Sequence, residues 1–287
     1  MYAAPSSPRP RLPAPALALG SLVVLQLGTA VATSLFRSLG TAGTSWITLT
    51  IAAMCFVAVV RHPLAGLTRE GAWTTVALGA VTAGVSLTFL ASLHRLPLGT
   101  ASAIEFLGPL SIPVLRARSA RALLWPVLAA TGVALLTRPW QHGTDRIGIL
   151  LALVAAGFWA AYILLAQRSG DHHDGVGALA IALPVAALLS APWGATAAIG
   201  HLSADRLVIA GVVALLDVVG PYSLELLALR RMNVSTFGTL MCFEPAIGAL
   251  VGLAFLGQAV GLPQLAGMAL VVAAGLGATR GSATSAP

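Results

Sequence analysis

The chain has 287 residues, of which 57% are hydrophobic and only 9% charged, with a mean hydropathy of +0.91. A soluble domain carries roughly 25% charged residues, so this chain cannot cover a water-facing surface, and a lipid bilayer is the solvent its composition suits. The net charge of +7 comes from 16 arginines with no lysine, spread between apolar segments rather than massed in a basic run interleaved with aromatics, which argues against nucleic acid as a partner.

Crossing a bilayer takes about 20 apolar residues, and ten such stretches fit this length with short loops. Residues 1–14 are rich in Pro and Ser, carry Arg9 and Arg11, and read as a disordered cytoplasmic tail. The stretch from Pro15 to Ala32 follows two arginines and ends in small residues, as a secretory signal does, but the many spans after it favour a retained helix. Helices are predicted at 15–36, 44–60, 72–92, 98–115, 122–138, 147–166, 176–199, 206–228, 234–256 and 262–279, with a second tail at 281–287. The second and fifth are short, and the seventh contains Pro184 and Pro192. The expected fold class is all-α: a polytopic membrane protein of ten transmembrane helices.

Arginine placement sets the orientation. Five arginines (Arg37, Arg95, Arg138, Arg146 and Arg206) fall on one side of the membrane and the other eleven on the side of the termini. The excess places both termini in the cytoplasm. Cys55 and Cys242 lie within apolar stretches and read as small buried residues.

The two halves resemble each other. At an offset of 136 positions Gly84 meets Gly220, Leu90 meets Leu226, Arg95 meets Arg231, Thr100 meets Thr236 and Pro109 meets Pro245. Five helices is an odd number, so a tandem copy enters the membrane inverted. The expected organisation is two inverted five-helix repeats, 15–140 and 141–280, an architecture that puts a binding site near the midplane between the halves.

Four of nine acidic residues fall within spans: Glu105, Asp217, Glu225 and Glu244. A charge at the bilayer centre costs roughly 2.5–3.5 kcal/mol on insertion scales, so these groups should face an interior cleft or sit protonated, and either state suits a proton or cation relay. Glu225 is near its helix end and is also consistent with a solvated interface position. Prolines accompany the acids. Pro109 and Pro221 lie four residues after Glu105 and Asp217, and Pro245 directly follows Glu244. A proline inside a helix strands the carbonyl four residues back, here those of Glu105, Asp217 and Met241. Carboxylates and free carbonyls at one level suit the ammonium group of an amino acid. Tyr222 shares a helix face with Glu225, Trp159 with Tyr162, and Gln26 with Thr29; these are candidate pocket residues. Thr236 and Thr239 are candidate partners for a substrate carboxylate. The six histidines fall in or beside loops, and no HExxH, GxSxG or phosphate-cradling motif is present, so neither enzymatic chemistry nor a metal or other cofactor is expected.

The segment LPLGTASAIEFLGPL, Leu96 to Leu110, resembles the fourth-helix motif of the EamA-type branch of the drug/metabolite transporter superfamily. PYSLELLAL, Pro221 to Leu229, and TFGTLMCFEPAIGAL, Thr236 to Leu250, resemble the eighth and ninth helices of its bacterial threonine and homoserine exporters. The resemblance runs from about residue 15 to 280. It implies ten helices in two repeats, a bacterial inner-membrane location, and efflux of small amino acids driven by protons. The matching positions are Glu105, Pro109, Tyr222, Glu225, Glu244 and Pro245. Two positions depart from the pattern: Gln258 stands where the family usually has Glu, and Asp217 where a small polar residue is expected. A drug or other metabolite exporter on the same fold remains open at this stage, as does a membrane-embedded enzyme or structural subunit. Small residues such as Gly248 and Gly252 point to close helix packing without saying whether the partner helix belongs to the same chain, so the oligomeric state stays open.

Overall fold

The computed structural model describes residues 13–60, 69–116, 124–138, 145–170, 175–229, 231–232 and 234–283. Most of the expected N-terminal tail, the pair His172 and His173, and the loop arginines Arg61, Arg118, Arg121 and Arg230 lie outside the described residues. Among those described there is helix and no strand. Six helical runs are long and apolar enough to cross a membrane, and three shorter apolar helices accompany them. The outer surface is apolar to match, with Trp73, Phe255 and Leu262 at 73%, 68% and 81% exposure. Lipid, not water, is the medium such a surface fits. The chain is a polytopic membrane protein.

The first element, α1 (Ala14–Ala32), begins behind Pro13, whose fixed φ suits the position before a helix. A short 3-10 turn, Thr33–Leu35, leads directly into α2 (Phe36–Val59). The loop expected at 37–43 is therefore helical. Gly40 is the reason: at φ 67° and ψ 171° it occupies a region open essentially to glycine alone, and bends the chain within one residue. The Thr44 hydroxyl then donates to the Gly40 carbonyl at 2.8 Å. Next come α3 (Arg69–Leu93), the pair α4 (Leu98–Glu105) and α5 (Leu107–Arg116), and α6 (Leu124–Thr137). The second half holds α7 (Arg146–Gly170) and α8 (Gly175–Ala198), the latter unbroken through Pro184 and Pro192. Then follow α9 (Ala204–Val213), a π-helical turn over Ala214–Val219, and α10 (Gly220–Leu229). The chain closes with α11 (Val234–Met241), α12 (Glu244–Leu256) and α13 (Leu262–Ala283), the last running into the stretch expected to be a tail.

Each of the three prolines marks an interruption. In a regular helix the ring of proline collides with the carbonyl four residues back and offers that carbonyl no N–H. Pro109 follows the break between α4 and α5 at Phe106, and Pro245 follows the break between α11 and α12. Pro221 follows the π turn, where the Gly220 N–H reaches back five residues to the Leu215 carbonyl.

Close glycine contacts fix how the helices pair. In α2 and α8, Gly43 faces Ala198 and Gly194 faces Trp46, so the two run antiparallel. The same holds for α6 and α13, where Gly132 faces Val271 and Gly267 faces Leu136. It holds again for α4 and α12, where Gly248 packs on Gln26 and Ser102 and Gly252 on Leu98 and Gln258. The close packing anticipated at Gly248 and Gly252 is thus made within one chain. Buried hydroxyls donate to carbonyls of their own helix, as at Thr48 and Thr75, which satisfies them where water is absent.

Candidate functional site

The interruptions and pairings border a partly open cavity of about 200 Å³. Helix α1 sends in Gln26 and Thr29, α4 ends there with Glu105, and α12 begins there with Glu244. The π turn contributes Asp217, and α10 contributes Pro221, Tyr222 and Glu225. From α7 come Trp159 and Tyr162. All four membrane-embedded acids of the sequence therefore line one space, although they lie on three separate stretches of chain.

Breaks in the helices explain how the acids enter. Glu105 is the last residue of α4, immediately before the Phe106 break, and Glu244 is the first of α12, immediately after the break at 242–243. Their side chains leave the helix where its wall is open. Both are buried, at 5% and 3% exposure. The two breaks stand at the same relative offset of 136 positions that aligns the halves of the sequence.

The other acids have different surroundings. Asp217 Oδ1 lies 2.6 Å from the Thr29 hydroxyl, which also lies 3.0 Å from the Leu25 carbonyl. A hydroxyl has one hydrogen to give, so Thr29 donates to the carboxylate when Asp217 is ionised. When Asp217 is protonated it donates to Thr29, and Thr29 turns to Leu25. Packing holds this pair together: a Cβ on Gly28 would stand 2.6 Å from the Asp217 nitrogen. Also on the cavity wall, the Tyr222 hydroxyl donates to that of Tyr162 at 2.5 Å, linking α10 to α7 one turn before Glu225. An ion pair joins Arg95 to Asp145 at 2.9 Å, near the surface, and neither residue lines the cavity.

Pro109 and Pro245 act at the breaks and do not line the cavity, whereas Pro221 does. Thr236 and Thr239 do not reach it; Thr236 is exposed on α11 and Thr239 half-buried. Two lining hydroxyls from α3, Thr82 and Ser86, were not singled out from the sequence. They are four residues apart and so share a face of α3, and Ser86 meets Ser45 of α2 at 2.6 Å, but α3 also carries Thr74, Thr75, Thr88 and Ser92, so residue type alone did not single them out. Gln258 also finds a use. Its Oε1 accepts the Leu98 N–H at 2.9 Å and caps α4, while its own N–H bonds the Gly252 carbonyl around Gly257, which sits at φ 64°.

A lipid-facing helical bundle enclosing a carboxyl-lined cavity between broken helices defines a membrane transporter. Comparison with known proteins gives the family: the chain belongs to the EamA-like transporter family, whose pattern matches residues 146–279. It is 35% identical over 266 residues to the threonine/homoserine exporter RhtA of Escherichia coli strain K12, covering 91% of this chain and 89% of that protein. It is also 35% identical over 260 residues to RhtA of Salmonella typhimurium strain LT2, covering 89% and 87%. One solved crystal structure overlays with a TM-score of 0.60 at 19% identity, over 92% of this chain and 94% of that one, and this likeness bears on the fold alone.

Proposed function

We propose that this protein is a secondary active exporter of small amino acids of the threonine and homoserine kind, working by proton antiport across the bacterial plasma membrane. The observation that carries the reading is the convergence of Glu105, Asp217, Glu225 and Glu244 on one cavity inside an apolar bundle. The size of that cavity supports a small cargo. A cavity of about 150 Å³ in another protein holds benzene, so about 200 Å³ suits a small amino acid better than a large drug. The relatives named above export threonine and homoserine.

The proposed topology is ten spans in two inverted repeats, 15–140 and 141–280, with both termini in the cytoplasm. Six long apolar runs supply six spans. Dividing the 46-residue run Ala14–Val59 at Gly40 gives a seventh, and the shorter helices at Leu98–Ile112, Leu124–Thr137 and Leu262–Gly277 bring the number to ten. The glycine contacts support the inversion. Gly132 and Gly267 hold nearly equivalent places in the two halves, and each would press a Cβ to 2.6 Å from the other's carbonyl oxygen across antiparallel helices. Equivalent residues meeting each other reciprocally across antiparallel helices is what a two-fold axis in the membrane plane requires. Gly84 of the first half against Phe158 of the second is likewise echoed by Gly220 of the second half against Val24 of the first.

In the proposed cycle the substrate's ammonium meets Glu244 or Glu105, and one carboxylic acid, Glu244, exchanges its proton for substrate. Glu244 is buried at the opening of α12 and lines the cavity, where substrate and proton would compete for it. Homoserine and threonine exchange in proteoliposomes, with and without an imposed proton gradient, tests the function. Export that responds to the gradient is expected, together with loss of that response in Glu244→Gln. Unaltered gradient-driven exchange in Glu244→Gln would remove Glu244 from the role, and no exchange of either amino acid would refute the reading.

A further inference from the structure

The polar lining of the cavity is one-sided. It holds four carboxylic acids, none of its described residues is Arg or His, and the sequence has no lysine. Gln26 adds to the imbalance. Its side chain is only 1% exposed. Its Nε2 donates to the Ser102 hydroxyl at 3.2 Å, and a Cβ on Gly248 would stand 3.2 Å from the same nitrogen. The other end of the amide, Oε1, is buried with no hydrogen-bond partner. Ser102 lies one helical turn before Glu105, and Gly248 one turn after Glu244. The amide is therefore pinned by α4 and α12 within a turn of both acids, with an acceptor left over.

A buried acceptor without a donor is unfavourable, so a site that keeps one is built for a ligand that brings the donor. A primary ammonium brings three N–H groups and a positive charge, which suits a carbonyl oxygen placed beside carboxylates. The carboxylate of an amino acid finds no cation here. Its partners are the Ser86 hydroxyl, when Ser45 is the donor in their mutual bond, the Thr82 hydroxyl once it turns from the Leu78 carbonyl, or a protonated acid. We propose that the cavity selects its ligand through the primary ammonium, received by Gln26 Oε1 together with Glu105 and Glu244, and that the ligand's carboxylate is dispensable. Small amino alcohols are then substrates alongside amino acids. The inference rests on the export reading and extends it to a substrate class.

The test is competition for labelled homoserine exchange in proteoliposomes of the unmodified protein. Aminopropanol is homoserine without its carboxylate, and γ-hydroxybutyrate is homoserine without its ammonium. Competition by the first and none by the second is expected. Competition by the hydroxy acid, or failure of the amine to compete while homoserine itself exchanges, overturns the inference and leaves the export reading intact. Absence of homoserine exchange sinks the export reading instead. Gln26 is tested separately. Gln26→Leu should raise the homoserine KM about tenfold, as loss of one charge-assisted bond does, with kcat little changed. Gln26→Glu, which keeps the acceptor and removes the donor, should recover a substantial part of the KM rise seen in Gln26→Leu. Equal damage from both substitutions, in protein that unfolds at the wild-type temperature, overturns the role given to Oε1.

Discussion

Gly28 is the position at which the link between packing and site is most sharply tested. A Cβ there would stand 2.6 Å from the Asp217 nitrogen, 2.8 Å from the Leu216 carbonyl carbon and 2.9 Å from Leu216 Cβ. Two of these neighbours are backbone and cannot swing aside. Ordinary contact begins at 3.4 Å, so Gly28→Ala must drive α1 and the π turn apart by about 0.8 Å. That separation stretches the Thr29–Asp217 hydrogen bond from 2.6 to about 3.4 Å, beyond the useful range for O–H···O. Overpacking costs about 1–3 kcal/mol, and loss of a bond to a charged group about 1.5–3 kcal/mol. Gly157 is the control, since a Cβ there meets nothing within 4 Å, and replacing a helical glycine with alanine in open space is neutral or stabilising. Thermal unfolding in detergent and homoserine exchange would be measured on both variants. Gly28→Ala should unfold several degrees lower and exchange more slowly, and Gly157→Ala should do neither. Matching stability and exchange in the two would refute the claim that α1 rests directly on the turn carrying Asp217.

Three other outcomes are expected. In Tyr162→Phe, Tyr222→Phe and the double variant, thermal unfolding should reveal a coupling of about 1 kcal/mol, because each single change breaks the same 2.5 Å bond. Gln258→Ala should destabilise by about 1 kcal/mol through the uncapped Leu98 N–H, whereas Gln258→Glu should stabilise by about 0.5 kcal/mol, an anion at the start of α4 being favoured by the helix dipole. At Asp145, the Gly148 N–H first and the Arg95 guanidinium second hold the carboxyl below its ordinary range. A depressed carboxyl favours the folded state above its unfolded value, about 3.9, and that contribution fades as pH falls through the lower folded value. Asp145→Asn should therefore lower stability near neutrality and flatten its acid limb in a pH series of unfolding temperatures.

Much of the site was legible because its components violate the medium. An acid in an apolar run, or a proline in a helical one, needs a local reason, and here the reasons coincide: Glu105, Asp217 and Glu244 sit at the interruptions their neighbouring prolines accompany. Loop positions were harder to read. The stretch 37–43 falls between two predicted helices, yet Gly40 turns the chain within one residue and the helix resumes at once. Thr236 and Thr239 could not be sorted from Thr82 and Ser86 by residue type, since which face of a helix meets the cavity depends on packing against helices far off in sequence. Gln26 shows the same limit. Its place on α1 suggested a lining role, but its pinned nitrogen and idle oxygen depend on Ser102, 76 residues away.

The wide turn at Ala214–Val219 has a geometric corollary. An α-helix advances about 100° per residue, so the single residue accommodated by widening that turn sets the azimuth of everything after it. Removing one residue there would swing Tyr222 and Glu225 together by about that angle, pointing the phenol away from Tyr162 and the acid towards a neighbouring helix or the lipid. The bulge is thus the screw thread that aims the end of α10.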